Sequence, residues 1–201
     1  MTRAAEQDRP DVQQARAEWP ELLDRLDCRR LVFLDETWAS THMARTHGYA
    51  PSGERLLAAV PFGHWKITTF VAGLTTTGFI APMVLDGAMD GLAFAAYIEQ
   101  ILAGELRRGD LVIMDNLPAH KTALVRQALE AAGIRYVYLP PYSPDLNPIE
   151  KAFSKLKRLL RTAAERTVEG LWSAIGRLID QFRSTECRNY FRSCGYAATN
   201  T

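Results

Sequence analysis

Two short apolar runs constrain this chain more than any other feature: LVFLDE at 31–36 and DLVIMDN at 110–116 each pass through consecutive apolar side chains and stop on an acid. Short runs of this kind suit strands that are covered on both faces, which need a sheet with helices on either side. The carboxyl ends of such strands form the edge where α/β sheets commonly bind ligands. Asp35 and Asp115 stand at those ends. Set side by side, two carboxylates with no basic neighbour in either strand repel each other, and a divalent cation between them relieves the repulsion. A turn or N-cap role explains either aspartate taken alone.

The rest of the pattern predicts the layers. HWKITTFVAGL and GFIAPMVLDG are rich in β-branched residues and are separated by the turn-like TTTG, so they read as antiparallel strands. Asp90 is placed to cap a helix running to about Leu106, with Phe94, Ile98, Ile101 and Leu102 on its apolar side. A helix from about Ala119 to Ala132 should stop at Gly133. RYVYLP predicts another strand, and the prolines of PYSPDLNP a stiff turn. Helices over roughly 148–165 and 168–183, and a short one near 186–193, complete the chain. Between 37 and 63, Gly48, Pro51, Gly53, Pro61 and Gly63 suggest an irregular excursion with a hairpin through RLLAAV. The order implies an α/β fold with a mixed central sheet flanked by helices.

At 201 residues and 47% hydrophobic content, one substantial core is affordable. Residues 1–30 carry six Lys/Arg and seven Asp/Glu and read as a polar lead-in with one or two short helices, a linker or arm. Residues 31–196 form the expected main domain and 197–201 a tail. Cys28, Cys187 and Cys194 are odd in number and lack metal-ligand spacing, which argues against a disulfide framework or zinc knuckle and favours a reducing, cytoplasmic compartment. The N-terminus lacks the apolar stretch of a secretory signal, and no segment reaches the about 18 to 20 apolar residues of a membrane span. A soluble protein with no membrane partner is expected.

Asn147-Pro148-Ile149-Glu150 is a model helix start, with Asn at N-cap, Pro at N1 and Glu at N3, so a capping box explains Glu150 without chemistry. Spaced at about 100° per residue, the following helix separates into stripes. Ile149, Phe153, Leu156 and Leu160 form the core stripe; Lys151, Lys155 and Arg158 a basic one; Glu150, Ser154 and Lys157 lie between them. Glu150 thus stands at the border of a buried and a cationic face, a suitable place for a metal ligand reached by a phosphodiester. The formal charge of the whole chain is only +1, yet Lys151 to Arg192 holds ten Lys/Arg against four Asp/Glu. Lys151, Lys155, Lys157, Arg158 and Arg161 are therefore the candidate contacts to a phosphate backbone, and a solvated helix face is the plain alternative.

Taken together, LVFLDETW, LVIMDNLPAHK and YLPPYSPDLNPIEKAFSKLK resemble the DDE transposases of the Tc/mariner superfamily, in particular its bacterial insertion-sequence branch, over about residues 31–196. The 34 residues between Asp115 and Glu150 agree with the spacing of that superfamily. The resemblance implies a ribonuclease H-like fold, the catalytic triad Asp35, Asp115 and Glu150, and two Mg²⁺ ions with Mn²⁺ as substitute. Oxygen ligands suit such hard cations. In the implied scheme Asp35 bridges both metals while Asp115 and Glu150 each bind one; water cleaves at a transposon end, and the freed 3′-hydroxyl attacks target DNA. Asn116 and His120 occupy motif positions; His120 is open between contacting phosphate, orienting a ligand and a structural role. Glu36 is secondary, since it should point to the opposite face of the strand from Asp35. Asp145 reads as a turn residue.

The resemblance also implies DNA as partner, a homodimer in the active complex through the 37–63 excursion, and a bacterial, nucleoid-associated location. The N-terminal DNA-binding region usual in the family has room for only about 30 residues before residue 31. The chain then reads as the second frame of a frameshifted element, joined to an upstream-frame DNA-binding half, or as a truncated copy. A haloacid dehalogenase-like phosphatase would need an aspartate where Thr37 stands. Another ribonuclease H-like nuclease, or a non-catalytic DNA-binding remnant of a mobile element, are the remaining alternatives.

Overall fold

Alternation inside the two apolar runs decides how the chain layers. In a strand, successive side chains face opposite sides, and in the computed structural model, which describes residues 5–23, 26–57 and 59–196, the two sides bury different cores. Leu31 and Phe33 enter one core with Phe70, Ala72, Ile113, Phe153 and Leu156. Val32 and Leu34 enter the other with Val71, Val112, Met114, Phe94 and Leu129. The tail expected over 197–201 lies outside the described residues.

In chain order the elements are α1 (Pro10–Leu23), β1 (Leu31–Ser40), β2 (Ile67–Leu74), β3 (Phe79–Asp86), α2 (Gly91–Tyr97), α3 (Ala103–Glu105), β4 (Leu111–Met114), α4 (Ala123–Ala131), β5 (Tyr136–Tyr138), α5 (Pro148–Ala163), α6 (Val168–Ile179) and α7 (Ser184–Ser193). The five strands form one mixed sheet in the order β3-β2-β1-β4-β5. β1 pairs antiparallel with β2 and parallel with β4, and β5 extends the parallel half. Helices α5 to α7 cover one face and α2 to α4 the other, as the cores require.

Three differences from the sequence pattern bear on the site. β1 does not end at Asp35: it runs to Ser40 because β2 accompanies it from Phe33↔Leu74 to Ser40↔Ile67, whereas its parallel pairing with β4 stops at Leu34↔Met114. Asp35 is therefore the first residue past its parallel neighbour, mid-strand on one side and at an edge on the other. The helix expected from about Ala119 is split into a 3₁₀ turn, Pro118–Lys121, and α4, because Thr122 is extended and its hydroxyl accepts from Val125 N at 3.3 Å. The hairpin expected through 55–60 does not form; the described residues of 41–66 hold no strand or helix.

The polar lead-in contains a docked helix. Val12 and Trp19 of α1 are buried, and Trp19 Nε1 donates to Tyr196 Oη at 3.1 Å. Arg16 meets Asp145 through both guanidinium nitrogens, at 3.0 and 2.7 Å, and donates to Ser143 Oγ. Tyr196 Oη in turn donates to Leu146 O at 2.6 Å. Two ends of the chain thus hold the 141–147 turn, which leads into α5.

Candidate active site

Asp35, Asp115 and Glu150 reach the same edge of the sheet from β1, from the residue after β4, and from the first turn of α5. Asp35 is the buried member, 5% exposed. Its Oδ1 accepts from Glu36 N at 2.8 Å and its Oδ2 from Asn147 Nδ2 at 2.9 Å. Burial, reinforced by the charges of Asp115, Glu150 and Glu36, raises its carboxyl well above the ordinary aspartate range. Glu150 is exposed at the rim. Desolvation by the protein around it still raises its carboxyl, against the pull of Lys157 and with the repulsion of Asp115. Burial, together with neighbouring carboxylates and no counter-cation, produces such upward shifts at Asp35 and Glu150.

His120 joins the second acid to a fourth. Its Nδ1 contacts Asp115 Oδ1 at 2.7 Å and its Nε2 contacts Glu36 Oε2 at 2.9 Å. The ring is fully buried and stacks on Phe94, centroids 4.4 Å apart, while Tyr138 Oη donates to its carbonyl at 2.9 Å. Burial alone would oppose the imidazolium, but the hydrogen bonds and charges of Asp115 and Glu36 outweigh it and push the His120 pKa up to about 10. With carboxylates on both sides, both ring nitrogens donate. Glu36 does lie on the opposite face from Asp35, as alternation requires, yet this is what lets it reach His120 from the α2 to α4 side. Asn116 donates to Leu139 O at 3.2 Å, just before the 141–147 turn.

The capping box expected at α5 does not form. Asn147 occupies the N-cap, but its side chain makes no cap hydrogen bond. It is directed to Asp35 instead, 112 residues away in sequence. Its Oδ1 is buried and has no hydrogen-bond partner, a condition that costs about 1–3 kcal/mol for a neutral group. Glu150 consequently caps nothing and faces the cleft.

A cavity of about 610 Å³ opens onto the acids and is lined by Asp115, Asn116, Asn147 and Glu150, with Arg9 and Lys121 supplying positive charge. Periodicity along one helix gave no sign of those two cations. The predicted basic residues divide. Lys151 donates to Ser193 O and Oγ, and Lys155 pairs with Glu186 at 2.6 Å, so both tie α5 to α7. Lys157 lies over the Trp38 ring at 4.6 Å, on the side of Glu150. Arg158 and Arg161 line a second cavity of about 670 Å³ together with Arg45 and His47 of the excursion.

Among the described residues, no three His, Cys, Asp or Glu side chains converge closely enough to hold a metal ion as they stand. The donor chemistry nonetheless fits a hard divalent cation. All the candidate ligands are oxygens, burial and neighbouring carboxylates raise Asp35 and Glu150, and Asn147, whose oxygen has no partner, lines one cavity with Asp115 and Glu150. Among the described residues, no helix is long and apolar enough to cross a membrane.

A family model described as DDE superfamily endonuclease matches residues 30–172. No curated protein matches the chain by sequence. Among solved structures, it is similar to the Mos1 mariner transposase paired-end complex with Mn, at 18% identity and a TM-score of 0.71, covering 97% of this chain and 60% of that one. A pre-cleavage Mos1 transpososome aligns at 18% identity and 0.69, over 92% of this chain and 57% of that chain. The catalytic domain of Mos1 mariner transposase aligns at 18% identity and 0.65, over 94% and 88%. At such identity the likeness is one of fold, and it is the ribonuclease H-like fold that the sequence motifs implied. This chain spans about three fifths of the length of the transposase chains in the first two complexes.

Proposed function

Because the chain belongs to the DDE superfamily endonuclease family, we propose that it is the catalytic portion of a transposase, cutting DNA at the ends of a mobile element and joining the freed strand to target DNA. The observation that carries this reading is the meeting of Asp35, Asp115 and Glu150 at one sheet edge, with the carboxyls of Asp35 and Glu150 raised by burial and by neighbouring acids. Asp35, Asp115 and Glu150 would hold two Mg²⁺ ions, or Mn²⁺ in their place. When bound, the cations supply the charge that neutralises the phosphodiester and favours in-line attack by water or a 3′-hydroxyl. His120 holds Asp115 in one orientation, and Glu36 holds His120 from the other side. Arg9 and Lys121 at the cavity, with Lys157, Arg158 and Arg161 on α5, attract the DNA backbone.

The finer parts of the reading are these. The chain is of the bacterial insertion-sequence branch and acts at the nucleoid. Residues 1–30 are the end of a DNA-binding region or its linker, 31–196 the catalytic domain and 197–201 a tail, with an upstream-frame half finding the terminal repeats. The excursion at 41–66 reaches a second copy in the active dimer. Its large apolar side chains support this: Tyr49, Leu57 and Phe62 are exposed by 102%, 84% and 106%.

The test is strand cleavage of a plasmid carrying the sequences that flank the gene for this chain, with Mg²⁺ or Mn²⁺ and with neither. Replacing Asp35, Asp115 or Glu150 by Ala should each reduce cleavage about ten-thousandfold. Unchanged cleavage after a replacement removes that residue from the site. Metal-independent DNA binding without any cleavage favours a non-catalytic remnant, and cleavage of an RNA–DNA hybrid without strand joining favours another nuclease on this fold.

A further inference from the structure

Asn147 is the best N-cap residue the sequence provides for α5, and it sits at the N-cap without making the side-chain bond that position favours. It is 3% exposed. Its amide nitrogen is committed to Asp35 Oδ2 at 2.9 Å. The NH₂ end faces Asp35, and the carbonyl oxygen faces elsewhere. That oxygen has no partner, and the residue lines the cavity shared with Asp115 and Glu150.

A helix start that forgoes its cap, a buried acceptor left open and a bond to the most buried catalytic acid coincide on one side chain. We propose that Asn147 is a fourth member of the catalytic constellation: its amide orients Asp35, and its carbonyl oxygen accepts from the water shell of the bound divalent cation or binds the cation itself. The inference rests on the metal-dependent reading above and adds a residue to it. The backbone around Asn147 is suited to the task. Arg16 holds Ser143 and Asp145, and Tyr196 holds Leu146 O, so the turn that presents Asn147 is fixed from both ends of the chain. Partners that orient metal ligands in this way typically govern affinity by about ten- to hundredfold.

The experiment titrates Mn²⁺ into the full chain by calorimetry and measures thermal unfolding with and without Mn²⁺. Asn147→Ser keeps a good cap residue but is too short to bridge to Asp35. It should leave metal-free unfolding no less stable while weakening Mn²⁺ binding about tenfold or more. Asn147→Asp keeps an oxygen but sets a charge against Asp35. It should be less stable than the parent without Mn²⁺ and gain more from Mn²⁺ than the parent does. If Asn147→Ser does not fold, the Mn²⁺-dependent gain of Asn147→Asp decides. Parental Mn²⁺ affinity in Asn147→Ser, or no larger Mn²⁺ gain in Asn147→Asp, overturns the proposal and leaves the metal-dependent reading standing. Failure of the parent chain to bind Mn²⁺ overturns that reading and this inference with it.

Discussion

The acid-bearing edge of the sheet and the excursion that leaves it at residue 41 begin within a few residues of each other and follow opposite rules. At the edge, Phe33, Leu34 and Phe153 are at most 2% exposed, and Asp35 and His120 are buried. In the excursion Leu57, Tyr49 and Phe62 stand almost wholly in solvent, and the described residues form no regular element. The edge carries its own order because both faces of the sheet are covered. The excursion is held at its start, where Met43 is buried and Arg166 donates to Thr41 O and Met43 O, and exposes large apolar side chains beyond it.

The comparison breaks most readily on stability. Phe153→Ala should cost about 3–5 kcal/mol, since the ring packs against Phe70 and Phe79. Phe62→Ala should change the stability of the isolated chain by no more than about 0.5 kcal/mol. Chemical denaturation measures both, and an equal cost would make the excursion part of the core. A smaller effect is expected within the edge itself. His120→Ala frees Asp115 and Glu36 from their shared partner and should reduce metal-dependent cleavage about ten- to hundredfold, with DNA affinity in a gel-shift assay unchanged. An equal loss of DNA binding would make His120 a DNA contact and not a holder of Asp115.

The smallest effect concerns the tether between α1 and the 141–147 turn. Arg16 lowers the Asp145 carboxyl below its ordinary value of 3.8. A depressed folded value means the contribution is fully present above about that pH and is lost as pH falls through the lowered value. The pair is partly exposed, so it is worth about 1 kcal/mol or less. The indole resonance of Trp19 should therefore report loosening of α1 below pH 3.8, and Asp145→Asn should show the loosened signal already at neutral pH. A Trp19 signal that ignores both changes would mean that apolar contacts alone hold α1.

Local pattern was sufficient for much of this molecule. Consecutive apolar residues marked β1 and β4 as strands covered on both faces, and in the fold Leu31 and Phe33 enter one core and Val32 and Leu34 the other. Helical spacing gave the buried stripe of α5, Ile149, Phe153, Leu156 and Leu160, without error. Periodicity records which face an element buries, and these assignments need nothing further. The three acids were legible because strand ends and the turn before α5 are local features, and because the motifs around them resemble a known family.

What the sequence left open were the partners of polar groups. Asn147 read as a cap, but a hydrogen bond goes to the nearest suitable acceptor in space, and that acceptor is Asp35 from another strand. Glu36 read as secondary until the chain between β4 and α4 placed His120 against it. Lys151, Lys155 and Arg158 share a stripe and line the cavity beside the excursion, yet Lys151 and Lys155 are also bound to α7. The amino-acid sequence by itself determined most of the elements and their buried faces, since these follow from spacing along one chain, and its motifs singled out three candidate acids. Only the tertiary structure decided how those acids are held, because a polar side chain is satisfied by whatever the fold brings within hydrogen-bond distance.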